Sequence, residues 1–269
     1  MPELPEVETI ARGLAKSVTG DVVESVWLGR KKEPLKSRAS EIASVLEQSR
    51  IASVRRMGKH IVFDLDRQKK ESQWIVHLGM TGRLQVCNPQ TEIAKHTHAI
   101  LKLASGRELR FVDPRRFGRL SVAASAEFDV TGIEPLEIDR RRFVALFRGR
   151  KTPIKSALLN QKLLRGVGNI YADESLFRAG IRPRRRAATI TRAQLAKLHA
   201  AVKEVLKEAI ALGGSSVSDY LNADGEEGFF QLQHRVYGRE GEPCLVCKTP
   251  IKRVVIAGRS SHYCPECQQ

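Results

Sequence analysis

The sequence has no long hydrophobic run, and none of its apolar stretches approaches the roughly 20 residues of a membrane-spanning helix. Its first ten residues hold three glutamates and no basic residue, whereas a secretory signal peptide begins with positive charge. Acidic residues are scarce: 30 Asp and Glu stand against 46 Lys and Arg, a formal net charge of +16. We therefore expect a cytoplasmic protein without membrane association, whose partner is a polyanion, with nucleic acid favoured over a membrane surface.

Cysteine is also sparse, and four of the five cysteines lie near the C-terminal end in CLVC (Cys244, Cys247) and CPEC (Cys264, Cys267). Two such pairs can place four thiolates at the corners of a tetrahedron, which predicts one zinc ion per chain. Because four protein ligands leave no open position, the ion is expected to be structural. The alternative, two disulfides, is disfavoured by a cytosolic location and an odd cysteine count. The isolated Cys87 is predicted to be an ordinary buried or half-buried residue.

The apolar pattern predicts an α+β protein. Residues 5–18 show helical spacing, with acids in the first turn and a glycine after the end. From about residue 20 to 125 the pattern is short, β-branched and often alternating, which predicts an antiparallel β-sandwich or flattened barrel against the first helix. Residues 126–140 read as a connector.

The second half of the chain is predicted to be helical. One helix is expected from Thr152-Pro153 to about Lys162, and the glycine turn RGVGN leads into another that stops at Gly180. Thr191 caps a longer helix. Residues 213–242 lack periodicity, which is typical of a functional or disordered loop, and a hairpin is expected between the cysteine pairs.

These elements predict three domains. They are an N-terminal β-sandwich domain at 1–130, a helical domain at 131–235 and a C-terminal four-cysteine zinc finger at 236–269.

The chain begins MPELPEVE, with proline at the position that removal of Met1 would expose. An α-amino group has a pKa of about 7.7–8.0. A helix start disfavours its protonated form, so Pro2 would offer some neutral amine, a nucleophile toward a masked aldehyde. The alternative is that Pro2 and Pro5 only define a helix start. Glu3 is correspondingly either a first-turn acid or a proton shuttle.

A series of motifs, in order along essentially the whole chain, resembles the formamidopyrimidine-DNA glycosylases: MPELPEVET, GKH, HLGMTG, DPRRFG, IK…GVGNIYADESLF, NADG, VYGREGEPC and the final CxxC…CxxC. The resemblance implies a bifunctional DNA glycosylase and abasic-site lyase, active in base excision repair of oxidised purines such as 8-oxoguanine and formamidopyrimidines. Its partner would be double-stranded DNA with oxidised bases or abasic sites. It would act as a monomer in the bacterial cytoplasm, associated with the nucleoid when bound to DNA.

The resemblance also implies a catalytic group. Pro2 would attack the deoxyribose C1′, expel the base and form a cationic iminium that permits β- and then δ-elimination. Glu3 would protonate the opening sugar oxygen, and Lys59 would contact the phosphate beside the lesion and donate a proton. Arg259, at the tip of the zinc hairpin, would bind phosphate and assist δ-elimination. Glu6 would be a supporting carboxylate, or else an ordinary first-turn acid.

Base excision requires an extruded base and residues that fill the void. The resemblance assigns this to Met80, Arg115 and Phe117, with Arg115 bonding the orphaned cytosine. The alternative for Met80 and Phe117 is a place in the core, although glycine-flanked turns favour projection from the surface.

Further DNA contacts are implied at the helix–two-turn–helix segment. Asn169, with the backbone N–H groups of RGVGN, would form a phosphate site. Lys151 and Lys155 would add positive charge at the start of the first of the two helices, Lys155 in a supporting role, and His96 would also contact DNA. The runs 140–142 and 184–186 are interpreted as solvated arginines.

Two departures from the family pattern bear on function. Asn160 stands where the family often has Asp, so a structural bond is expected to differ. Ser218 replaces a frequent basic residue in the loop over the flipped base, which leaves the preferred purine lesion open. Two alternative functions are an endonuclease VIII-like glycosylase for oxidised pyrimidines and a non-catalytic zinc protein that binds DNA or structured RNA.

Overall fold

The computed structural model describes residues 1–31, 33–123, 128–216 and 228–269. The chain divides into two compact units. The first unit comprises Met1–Asp129 with Gly213–Gly228, and the second comprises Val130–Leu212 with Phe229–Gln269. The three-domain division stays a prediction. The expectation for Ser218 falls outside the described residues.

The first unit is a β-sandwich with two helices. Its elements are α1 (Leu4–Val18), β1 (Val23–Leu28), α2 (Ala39–Leu46), β2 (Arg50–Met57), β3 (His60–Arg67), β4 (Lys70–His77), β5 (Arg83–Cys87), β6 (Thr97–Leu103), β7 (Glu108–Val112) and β8 (Arg119–Ala123). The strands form two antiparallel sheets, in the orders β1-β6-β7-β5 and β2-β3-β4-β8. The predicted antiparallel sandwich is confirmed, whereas α2 was not predicted.

One core joins both sheets to α1. Phe63 and Trp74 from one sheet and Leu101 and Phe111 from the other are buried in the same cluster. The apolar stripe of α1 lies there too: Val7, Ile10, Ala11, Leu14 and Val18. Burying each large apolar side chain contributes about 1.5–3 kcal/mol relative to its exposure. The helix predicted at 5–18 is therefore confirmed, with its apolar face fixed against the sandwich.

The second unit is helical and carries a β-hairpin. Its elements are α3 (Arg140–Phe147), α4 (Ile154–Leu158), α5 (Asn169–Ala179), α6 (Arg192–Ala211), β9 (Lys252–Ile256) and β10 (Arg259–Tyr263), with short 3₁₀ helices at Ala187–Thr189 and Phe230–Gln233. The expected stop of α5 at Gly180 is confirmed by its left-handed φ of 71°. Thr191 accepts the backbone N–H of Gln194 and caps α6 as expected. None of the helices described here is long and apolar enough to cross a membrane.

The structure corrects two expectations in this unit. The helix predicted to reach Lys162 ends at Leu158, because side chains capture the next backbone groups. Asn160 Oδ1 accepts the N–H of Lys162 at 3.0 Å, and Gln161 Nε2 donates to the carbonyls of Leu159 and Val167. An aspartate at position 160 would supply the same acceptor. The second correction is α3, a helix that directly follows the predicted connector.

His77, at the end of β4, makes the stability of the fold depend on pH. Its Nδ1 accepts the N–H of Gly79 at 3.1 Å and shapes the turn before Met80. Burial, followed by the charges of His60, Arg119 and Lys59, lowers the pKa of His77 from 6.5 to about 4. The unfolded chain therefore binds more protons than the folded chain below pH 6.5, and stability falls as the pH falls.

We expect the free energy of unfolding to drop by about 2 kcal/mol from His77 alone between pH 7 and pH 5. Urea unfolding of the wild type and of His77→Asn would measure this. Asparagine keeps an acceptor for Gly79 but does not titrate, so its stability should depend less on pH by that amount. Equal pH dependence of both proteins would contradict the assignment.

Candidate active site

The N-terminal residues lie at the start of α1. Pro2 is buried, and the side chains of Glu3 and Glu6 form a capping box. Glu6 Oε2 accepts the N–H of Glu3 at 2.7 Å, and its Oε1 accepts the N–H of Ser215 at 2.8 Å. Gly214, at φ 87°, leaves room for this contact, because a Cβ there would lie 2.9 Å from Glu6 Cγ. Glu6 thus joins the start of α1 to Gly214 and Ser215.

Lys59 lies in the two-residue turn between β2 and β3, where Gly58 has a φ of 60°. Arg56 holds this turn in place. Its Nε pairs with Glu8 Oε2 of α1 at 2.6 Å, and its Nη1 donates to the carbonyl of Gly58 at 3.2 Å. Desolvation raises the pKa of Glu8, but the Arg56 and Arg12 guanidinium groups together bring it below its usual value. The turn that carries Lys59 is therefore anchored to the helix that begins beside Pro2.

The structure brings Met80, Arg115 and Phe117 together on the surface of the first unit. Met80 is 41% exposed and Phe117 is 52% exposed, so the alternative that they belong to the core is wrong. The guanidinium of Arg115 lies 4.9 Å from the centre of the Phe117 ring. Gly79 touches the backbone of Phe117, since a Cβ on Gly79 would come within 2.4 Å of the Phe117 carbonyl carbon.

Asp113, which was not predicted from the sequence, holds the turn that carries Met80 and the turn that carries Phe117. Its fully buried carboxylate accepts Thr81 Oγ1 at 2.5 Å, the N–H of Gly118 at 2.7 Å and the N–H of Arg115 at 3.3 Å. Its own N–H donates to the carbonyl of His96, which is exposed and has a φ of 68°. The sequence did contain an indication of this role, because Asp113 is the first residue of DPRRFG, where an Asp-Pro pair precedes a turn.

In the second unit, Asn169 and Arg259 share a neighbour, Ser260. Asn169 is the first residue of α5, and its Nδ2 donates to Ser260 Oγ at 3.3 Å. Arg259 is exposed at the start of β10, after a turn in which Ala257 and Gly258 both have positive φ. The predicted hairpin with Arg259 beside its tip is thereby confirmed.

Lys155, which was expected to add positive charge at the start of α4 in a supporting role, has a fully buried side chain. Its Nζ pairs with Asp173 Oδ1 at 2.6 Å and donates to the carbonyl of Ser260 at 2.6 Å. Asp173 Oδ2 in turn accepts the N–H of His262 at 2.9 Å. Lys155 and Asp173 thus connect α4 and α5 to the strand of Arg259, while Lys151 is exposed just before α4.

The four C-terminal cysteines fit a zinc ion. Their sulfur atoms all lie within 4.8 Å of one another, with Sγ–Sγ distances of 3.8 Å for Cys244–Cys267 and 3.4 Å for Cys247–Cys264. Tetrahedral zinc with Zn–S bonds of about 2.3 Å requires similar separations, about 3.8 Å. Hydrogen bonds with Thr249 lower the pKa of the Cys247 thiol to about 6, whereas burial raises the pKa of Cys264 and of Cys267, so zinc binding must displace the protons of those two thiols. Cys87 is half-buried, as predicted, and lies outside this cluster.

Three family models match the chain in order. The N-terminal domain of formamidopyrimidine-DNA glycosylase matches residues 1–120, its H2TH domain matches 132–220, and the zinc finger found in FPG and IleRS matches 241–269. The chain belongs to the formamidopyrimidine-DNA glycosylase family. The four cysteines accordingly hold one structural zinc ion.

Relatives in this family align over their full length. The formamidopyrimidine-DNA glycosylase of Solibacter usitatus is 47% identical and that of Gluconobacter oxydans 43%, each over 100% of both chains. The solved MutM (Fpg) protein of Thermus thermophilus is 42% identical over 99% of this chain and 98% of its own, with a TM-score of 0.88. Lactococcus lactis Fpg, solved with DNA containing an abasic site, is 32% identical over 99% of each chain, with a TM-score of 0.91.

The main functional prediction is thereby confirmed. This formamidopyrimidine-DNA glycosylase family member is a DNA glycosylase with abasic-site lyase activity in base excision repair of oxidised purines. The endonuclease VIII-like and non-catalytic alternatives are not favoured.

Loss of zinc should disrupt the β9–β10 hairpin of the second unit and leave the first unit folded. A two-stranded hairpin has too little core to fold alone, so β9–β10 depends on the metal cluster and on α5. We expect Cys247→Ser to lose its zinc and to bind an abasic duplex at least about tenfold more weakly, with the sandwich still folded. Zinc content, fluorescence anisotropy and circular dichroism would measure this. Cys87→Ser is the matched control and should keep zinc and affinity; a full zinc content in Cys247→Ser would contradict the site.

Proposed function

We propose that Pro2, after removal of Met1, is the nucleophile of this enzyme. Its secondary amine attacks the deoxyribose C1′, the bond to the oxidised purine breaks, and the base leaves with the bonding electrons and takes up the proton that the amine loses. Glu3 protonates the sugar ring oxygen as the ring opens. The product is an iminium ion, which is necessarily cationic because the amine is secondary.

The observation that supports this proposal most directly is the buried pair of carboxylates beside Pro2. Glu3 is only 4% exposed and Glu6 only 2%. The hydrogen bonds of the capping box hold both carboxyl groups in place at the start of α1, close to Pro2 in the chain, where a carboxyl group is suited to proton transfer with the substrate. The same position at the start of the 15-residue α1 disfavours the protonated amine of Pro2, which leaves neutral amine for attack.

Strand cleavage follows from the same intermediate. The iminium withdraws electrons and acidifies the C2′ proton, so that the 3′ phosphate leaves by β-elimination and the 5′ phosphate by δ-elimination. We assign Lys59 to the phosphate beside the lesion and to proton donation. Arg259 is assigned to a phosphate and to the second elimination, for which its exposed guanidinium is suited. Lys155 supports Arg259 from beneath through Ser260.

The remaining predicted site residues are assigned to DNA binding. Asn169 and the N–H groups at the start of α5 form an anion site, since the structure places no acidic residue in the first turn of that helix. Lys151 and His96 add phosphate contacts.

Met80, Arg115 and Phe117 are assigned to the void left by the extruded base. Extrusion costs a few kcal/mol of unstacking, and an apolar wedge recovers part of it. The exposed Met80 and Phe117 supply that wedge, and the Arg115 guanidinium is available to the orphaned cytosine.

We further infer that the enzyme works as a monomer in the bacterial cytoplasm, associated with the nucleoid when bound to DNA. The relatives named above are bacterial, and genomic DNA is the substrate that must be reached.

The nucleophile can be tested by blocking the amine. An N-terminal extension that keeps Met1 in place should lower base release and borohydride trapping by about a thousandfold or more, because no terminal secondary amine remains. Binding to an abasic-site analogue should persist. The test substrate is a duplex with 8-oxoguanine opposite cytosine.

Pro2→Gly provides the companion variant, since processing leaves a primary amine that should keep part of the lyase activity. If the extended protein is trapped with DNA at full yield, the nucleophile is another amine, with Lys59 the first to be examined.

The wedge can be separated from the chemistry by comparing substrates. Phe117→Ala should slow excision of paired 8-oxoguanine by about tenfold to a hundredfold, because that base must be unstacked. Cleavage of a preformed abasic site should change much less, since no base needs extrusion. Single-turnover rates on both duplexes measure the difference.

Arg115→Ala should in addition reduce discrimination between cytosine and adenine opposite the lesion. Equal slowing of both variants on every duplex would show that these residues only support the fold or contact the backbone.

A further inference from the structure

A basic groove in the second unit lies outside the residues assigned above. It runs between the start of α3, the 3₁₀ helix Ala187–Thr189 and the start of α6. One part has a volume of about 510 Å³, and a second part shares Arg141, Val144 and Arg192 with it, so the two are continuous.

The rim of this groove carries only positive charge. Arg140, Arg141, Arg148 and Arg192 line it, all four are exposed, and none of the lining residues is acidic. No ion pair found within the described part of the chain involves these four arginines. The nearest acid along the chain, Asp139, is engaged as the cap of α3 through the N–H of Arg142.

The positions of three of these arginines are unfavourable for the helices that carry them. Arg140 and Arg141 lie in the first turn of α3, Arg192 lies in the first turn of α6, and neither first turn contains an acid. Cations at a helix N-terminus oppose the helix dipole and lower helix stability. An anionic partner would relieve both the dipole and the mutual repulsion of the guanidinium groups.

The floor of the groove is apolar. Apart from three arginines and Gly149, the larger part of the groove is lined by apolar residues, among them the half-buried Val144 and the buried Ala187, Ile190 and Leu195. A sugar-phosphate backbone has no apolar side chains that could pack on this floor. A peptide that alternates acidic and apolar side chains can pack on the floor and also pair with the arginines of the rim. We propose that this groove binds an acidic peptide segment of a partner protein that also carries bulky apolar side chains.

Fluorescence anisotropy with a labelled peptide of alternating acidic and Ile or Phe residues tests the proposal, at about 150 mM salt to limit non-specific attraction. The wild-type protein should bind it, and a peptide with serine in place of each apolar residue should bind at least about tenfold more weakly. The double variant Arg141→Glu, Arg192→Glu should also lose at least about tenfold in affinity.

The matched control is Lys197→Glu, Lys207→Glu, which changes the net charge equally on the exposed side of α6 outside the groove. It should stay within about twofold of the wild type. Both double variants should retain zinc and excise 8-oxoguanine at saturating enzyme, so the outcome is independent of the proposed repair chemistry.

Three results would overturn the proposal. Equal loss in the control variant would show general electrostatic attraction. Equal binding of the serine peptide would remove the role of the floor. Tight binding of an oligothymidylate of matched charge that depends on Arg141 and Arg192, with no peptide binding, would make the groove a DNA surface.

Discussion

The wholly buried carboxylate of Asp113 accepts hydrogen bonds from Thr81 and from the backbone N–H groups of Gly118 and Arg115, and the two surface turns of the first unit depend on it. These turns have no strand partner for their N–H groups, and an unsatisfied buried donor costs about 1–3 kcal/mol. One carboxylate with several lone pairs satisfies them together. Met80 and Phe117 can therefore stay exposed on rigid turns, although isolated apolar side chains on a flexible loop would collapse onto the nearest apolar surface.

The same device recurs where other irregular segments meet the core. In the second unit, Glu174 is fully buried and its Oε1 accepts the N–H groups of Arg235, Val236 and Tyr237 at 2.9–3.1 Å. Burial raises the pKa of Glu174, and the three N–H donors oppose that rise. Asp173 holds β10 in a similar way, with Lys155 as its counter-ion. Removing any one of these carboxylates would leave several donors unsatisfied at once, so the cost would exceed that of a single lost hydrogen bond.

The sequence predicted the elements whose periodicity is long and whose caps are plain, such as α1 and α6, and the resemblance supplied the exposed site residues through their motifs. It did not predict the supporting carboxylates, because an Asp in a turn or a Glu in a helix has the same local pattern whether it faces solvent or accepts three buried N–H groups. Burial is a property of the tertiary structure. The burial of Lys155 was missed for that reason, and α3 was missed because three arginines in its first turn contradict the usual acidic start of a helix.

Net charge alone could not say which cations face DNA. A composition of 46 basic against 30 acidic residues predicts a polyanionic partner, yet part of this charge is consumed internally. Arg56 pairs with Glu8 and Arg110 pairs with Glu108, with only 7% and 3% of the arginine side chains exposed. In such pairs the counter-ion replaces the hydration that burial removes, so the arginine retains little attraction for a ligand anion. Arg115 and Arg259 are exposed instead, on turns that the backbone fixes, and a guanidinium in that position retains most of its attraction for phosphate. Burial of the basic side chain beside a counter-ion, rather than the number of basic residues, therefore separates structural cations from those available to a nucleic acid.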